Sequence, residues 1–200
     1  MNRITELLAL RDRAEATLVS VPALVGMRPR CHVVVLRTHI DYTSYTLFTA
    51  PEAGEAAALV RSWERSQDEE GFECLDAAGT EDSVSVQPTI TSWRKPVPSD
   101  SVDALVRRAK DLEVPVCIPD FEGGQDGTTY VLSFAASALA SSRFTWWQPS
   151  WMDGDGITRD GTPPPGWEGL FSMVEEIVQL AGGPVWCGPS TRNQSPSDSG

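Results

Sequence analysis

Chemistry near neutral pH most often starts from histidine, and this chain holds only two, His32 and His39. A nucleophile–base site would have to use one of them. Cys31 precedes His32 in a β-rich run, where neighbouring side chains point to opposite faces, so these two are badly placed to activate each other. No G-x-S-x-G is present to mark a hydrolase elbow. An enzyme built here would be a hydrolase or metal-dependent enzyme, setting His32 or His39 against carboxylates of the run "DFEGGQDG". That run supplies Asp120, Glu122 and Asp126, which suit general acid–base work or a cation. Its Gly123-Gly124 and Asp126-Gly127 pairs equally well make a turn into the next strand.

Metal and nucleotide chemistry find less support. "DGDGITRD" has the look of a calcium loop. The register that puts Gly156 at the sixth position, however, puts Trp151 at the first, where Asp belongs, and Thr162 at the twelfth, where Glu belongs. No phosphate-cradling glycine pattern occurs. Cys31, Cys74, Cys117 and Cys187 are widely spaced, without a C-x-x-C, and are expected as buried free thiols. The residues therefore single out no catalytic group, metal ligand set or cofactor.

The net charge of -12 turns attention from chemistry to binding. It argues against nucleic acid, whose recognition draws on clustered Lys and Arg, and it favours steering of a basic protein partner. The most acidic stretch is 64–82, which includes Asp68, Glu69, Glu70 and Glu73. The N-terminal run is short, charge-broken and helix-patterned, unlike a signal peptide, and no stretch approaches the roughly 20 apolar residues of a membrane span. The expected location is the cytoplasm, with no membrane association.

The elements that would position these groups follow from periodicity. Ile4, Leu7, Leu8, Ala14 and Leu18 predict an N-terminal helix, and "CHVVVLRTHIDYTSYTLFTA" predicts a strand pair. After Pro51, the spacing of Ala56, Leu59, Val60 and Trp63 predicts a helix. Phe72, Cys74 and Leu75 suggest a short strand within the acidic stretch. "SVSVQPTITSW" predicts a strand that Pro88 places at an edge or bulge. A helix over 101–112 follows, with Ser99 or Asp100 as N-cap. "TTYVLSFAA" and "SSRFTWW" predict two strands, 149–165 an irregular loop, and "WEGLFSMVEEIVQLAGG" an amphipathic helix stopped by Gly182 and Gly183. The predicted class is α+β: antiparallel sheet with amphipathic helices on one face, in one domain over 1–183. That domain reads as two strand–strand–helix halves, about 1–95 and 96–183, followed by a disordered tail over 184–200.

Two adjacent tryptophans stand in the strand "RFTWWQ". Alternation puts Phe144 and Trp146 toward the core and Arg143, Thr145 and Trp147 on the other face. Trp147, with Trp151 nearby, is then either packing under the Pro-rich loop or a partner-facing anchor, or part of a small-ligand site. "DGTTYVLSF", "FTWW" and "PPPGWEGL" together resemble, over residues 120–181, a group of small uncharacterised bacterial proteins. These share a D-G-[TS]-x-Y strand, a W-W strand and a P-x-x-W helix start, and some resemble immunity or toxin-associated proteins. The run "SWMDGDGITRDGT" is longer here than in that pattern. The resemblance implies that the Asp126-Gly127 turn launches a strand, that Tyr130 and Trp146 pack across it, and that Trp167 seats the helix. It also implies a binding protein rather than an enzyme, which makes Trp147, Trp151 and the carboxylates at 68–73 and 120–126 the candidate contacts.

Overall fold

The computed structural model describes residues 3–37, 42–50, 52, 54–77, 87–113, 127–135, 141–152, 158–160 and 166–183. The predicted tail lies outside them. Four helices, α1 (Arg3–Val19), α2 (Arg65–Ala77), α3 (Ser99–Lys110) and α4 (Glu168–Ala181), accompany seven strands: β1 (Arg28–Arg37), β2 (Tyr42–Ala50), β3 (Glu55–Trp63), β4 (Ile90–Val97), β5 (Gly127–Ala135), β6 (Ser141–Met152) and β7 (Thr158–Asp160). They form one antiparallel sheet in the order β4-β3-β2-β1-β5-β6-β7. Two meanders therefore run outward from a shared centre, one from β1 to β4 and one from β5 to β7. The α+β class and antiparallel sheet are as predicted.

The placement of the helices is not. β1 is the middle strand, and its residues are buried on both faces in alternation. Cys31, Val33 and Val35 join a core with α3 and α4, while Val34 and Leu36 join a second core with Leu10, Ala14 and Leu18 of α1. The helices therefore cover both faces of the sheet.

Three further differences have physical causes. Residues 55–63 form strand β3, not a helix. "AAALV" lies between β2 and β4, with Ala56 and Ala58 buried in one core and Ala57 buried on the opposite side. A strand buried on both faces loses the alternation that distinguishes it from a helix. Its small side chains also let the covering elements approach closely. A further strand follows each predicted strand pair, β3 after β1–β2 and β7 after β5–β6, before helices α2 and α4. The acidic stretch forms helix α2 where a short strand was expected; Phe72 and Leu75 stand at i+4 and i+7 from Asp68, a helical spacing. The loop after "TWW" is partly a hairpin, for β6 continues to Met152 and pairs with β7 (Trp151 with Arg159).

The two helices over the first core end where their sequences require. α3 starts after Pro98, which has extended backbone and makes no side-chain cap, so Ser99 and Asp100 lie inside its first turn. α4 buries Leu170, Met173, Val174, Ile177, Val178 and Ala181, and stops at Gly182 with φ +78°. There the Gly182 N–H donates to Gln179 O (3.0 Å) and the Gly183 N–H to Val178 O (2.9 Å). This Schellman pair caps the helix through a left-handed residue that glycine adopts without a Cβ clash. Arg108 of α3 meets Glu176 of α4 at 2.7 Å. At the sheet edge, Thr91–Pro96 of β4 are exposed, and Arg94, Lys95 and Pro96 discourage edge pairing.

A Cβ at Gly183 would lie 2.7 Å from Val178 Cγ1 and 2.8 Å from Tyr45 Cε1. Gly183→Ala should therefore cost about 1–3 kcal/mol through overpacking. A lower urea midpoint at unchanged slope is the expected reading.

Candidate functional site

Among the described residues, polar chemistry concentrates at two points on the α1 side of the sheet. The first joins β3, α2 and β4. Asp68, 5% exposed, lies in the first turns of α2. Its Oδ2 accepts from the Trp63 indole N–H (2.6 Å) and the Thr89 backbone N–H (2.8 Å), and its Oδ1 from the Thr89 hydroxyl (2.6 Å). The Glu64 N–H donates to Thr89 O (2.9 Å), and the Thr91 hydroxyl donates to Glu64 Oε1 (2.8 Å). The Trp63 ring in turn packs on Tyr42, with centroids 5.3 Å apart. Charged acceptors make the stronger hydrogen bonds, so this carboxylate fixes where α2 leaves the sheet.

The second point sits beneath the end of α1. His32, 2% exposed, is held through both ring nitrogens. A backbone carbonyl only accepts, so Nε2–H donates to Leu18 O (3.2 Å), and Nδ1 accepts from the Thr46 hydroxyl (2.9 Å). Arg61 reaches the same helix end, donating to Thr17 O (3.1 Å), Leu18 O (2.9 Å) and Ser20 O (2.6 Å), with Nε on Ser44 Oγ (3.2 Å). A guanidinium thus serves the last carbonyls of a helix whose own last turn carries no basic residue. Burial foremost, reinforced by the Arg61 charge, pushes the His32 pKa down to about 4. The imidazole is neutral and fully used within the fold, which takes His32 out of the acid–base role considered for it. Burial also pushes the Cys31 thiol up to about 12, so it stays protonated on the opposite face of β1.

The candidate contacts divide. Asp68, expected at a partner surface, is internal, because three donors of the fold occupy its carboxylate. Glu69 is partly buried and pairs with Arg65 Nε at 2.6 Å, and Glu70 is exposed. Glu73 lies in α2 with its side chain outside the described residues. Asp120, Glu122, Asp126, His39, Asp153 and Asp155 lie outside them altogether. Trp147 stands opposite Thr129 in the β5–β6 register, and Trp151 opposite Arg159; neither side chain is among those described. No three His, Cys, Asp or Glu side chains gather as a metal site among the described residues.

The aromatic packing expected across β5 and β6 is present. Tyr130 pairs with Trp146 in register and stacks on it, with centroids 5.2 Å apart at 13°. Trp167, at the start of α4, meets Trp146 edge-on at 6.0 Å, and Phe171 closes the cluster at 5.4 Å. The indole N–H groups of Trp146 and Trp167 are buried without an acceptor among the described residues, a desolvation cost that the burial of their large rings offsets. Sequence reasoning missed Arg61 and set Asp68 at the surface rather than inside the fold. The signal for Arg61 was a cation at an inward position of an Ala-rich run, legible only once that run is known to be a strand.

Asp68→Asn places an amide donor where the carboxylate accepts three bonds, and should cost about 2–3 kcal/mol. Thermal unfolding should show the loss, and hydrogen exchange should show it first in α2. Iodoacetamide should leave Cys31 unmodified in the native protein and label it only after unfolding, as read by peptide mass spectrometry. No protein-family model, curated protein or solved structure matches this chain.

Proposed function

We propose that this is a non-catalytic cytoplasmic binding protein that takes a basic protein partner on an acidic surface, in the manner of a bacterial immunity protein facing a basic toxin. The observation that carries this reading is the mounting of α2. Its inward carboxylate, Asp68, is committed to Trp63 and Thr89, and this anchorage leaves Glu70 exposed on the helix. Residues 64–82 hold eight carboxylates against one arginine, so most of the chain's net charge of -12 falls in this stretch of the sequence.

Two further points support the reading. Among the described residues, the side chains best suited to catalysis, His32 and Cys31, are spent inside the fold, one in hydrogen bonds and one as a buried thiol. No helix of the described residues is long and apolar enough to cross a membrane. Opposite charge would raise the rate of encounter, and a few aromatic anchors, Trp147 and Trp151 first, would hold the complex. The runs 120–126 and 153–160 add further carboxylates to the sequence as candidate contacts.

The test is capture of partners from the native lysate, followed by titration of the purified partner at low and high salt. A basic protein should bind at least about tenfold more weakly at 500 mM than at 50 mM salt, since exposed charges are screened within a few ångströms at the higher value. Glu69→Lys combined with Glu70→Lys should weaken binding at low salt, while Trp147→Ala should weaken it at both. Affinity indifferent to salt and to the α2 charges would refute the acidic-surface reading.

A further inference from the structure

We infer that the junction of His32, Arg61 and the C-terminal end of α1 is an acid-sensitive latch, which frees α1 from the sheet when His32 takes up a proton.

Beyond the buried Leu18, the junction is made by polar contacts. α1 buries only Leu10, Ala14 and Leu18 completely, whereas α4 buries six side chains on the other face. Its outer side leaves Ile4 and Leu8 largely exposed. A helix with so narrow an apolar stripe depends on how its end is tied down, and elements with few buried contacts open first. Here the ties are four carbonyl hydrogen bonds, three from Arg61 and one from His32. All are made to Thr17, Leu18 and Ser20, within one turn.

The surroundings of His32 accept only the neutral ring. β3 presents Arg61 to it, and β6 presents the charge of Arg143; both disfavour a second cation. β2 offers the Thr46 and Ser44 hydroxyls, and β5 places Ser133 opposite in register. α1 offers the Leu18 and Val19 carbonyls, and the charge of its Glu15 bears on Tyr42. The charges acting on the ring are thus both positive. Protonation would place an imidazolium beside a guanidinium at 2% exposure, and the relief is for α1 to lift and admit water.

The sign follows from linkage. The folded pKa is about 4 and the ordinary value 6.5, so the opened form binds more protons between them. The latch is at full strength above about pH 6.5, weakens as the pH falls, and has lost this contribution below about pH 4. Detachment would uncover Val34, Leu36, Tyr42, Trp63 and Val131, the sheet side of the smaller core.

Hydrogen exchange of the full chain at pH 7.5 and pH 5.0, corrected for intrinsic rates, tests this. The α1 amides should open about 30-fold more often at pH 5.0, the factor implied by a pKa moving from 6.5 to about 4, while β1 and β2 amides keep their protection. In His32→Gln, whose amide N–H can still donate to Leu18 O but cannot titrate, the step in α1 should vanish. Should that variant fail to fold, ring NMR of the wild type decides, since only two histidines contribute signals. His32 should then stay neutral to about pH 5 and gain its proton together with α1 exchange. The inference is overturned by the absence of a step in α1, by a step shared equally with the central strands, by a step that survives His32→Gln, or by ordinary titration of His32 near 6.5 with α1 still protected.

Discussion

Two-sided burial of the central strand constrains everything else in this molecule. β1 carries Val33, Val34 and Val35 in succession, each fully or nearly fully buried, and consecutive side chains of a strand must face opposite ways. Apolar cover is therefore required on both faces at the middle of the sheet. α3 and α4 provide it on one face, with a continuous set of aliphatic and aromatic side chains. On the other face the only described helix packed on the strand is α1, and its stripe is too narrow to do the work alone. Polar groups complete that side: His32 from β1 itself, Ser44 and Thr46 from β2, and Arg61 from β3.

This asymmetry explains why His32, among the described residues, is not free for chemistry. A histidine in a central strand must satisfy two ring nitrogens while buried, and the carbonyls at the end of α1 are within reach of this one. The same constraint acts on Asp68, which sits where an indole and a strand amide need an acceptor. Both residues are functional-looking in the sequence and structural in the fold. Near Asp68 the acidic character of the chain survives at the exposed Glu70, which is the ground for the binding role proposed above.

Much of the architecture was legible from the residues. The N-terminal helix, the first strand pair, the helix near 101–112, the strands at 127–135 and 141–148, and the last helix all follow from periodicity or from turn residues. The pairing of Tyr130 with Trp146 and the seating of Trp167 agree with what the resemblance implied. The failures share one cause. In 55–63 the apolar run faces two covers at once, so period 2 is erased and the spacing of Ala56, Leu59, Val60 and Trp63 imitates a helix. In 65–77 the polarity of the segment hid a helix whose inward residue is a carboxylate. At the site, Glu70 was rightly expected at the surface, and Asp68, two positions away, was not separable from it by composition.

What the sequence determined by itself was the kind of most elements and a net charge of -12, because these depend on local propensity and on sums over the chain. Only the tertiary structure decided which face each element covers, which of several adjacent carboxylates turns inward, and which nitrogen of His32 carries its proton. Those outcomes depend on partners far away in the chain: Asp68 needs Thr89, and His32 needs Leu18 and Arg61. A hydrogen bond between such residues leaves no periodic trace in either stretch, so it exists only once the sheet has brought them together.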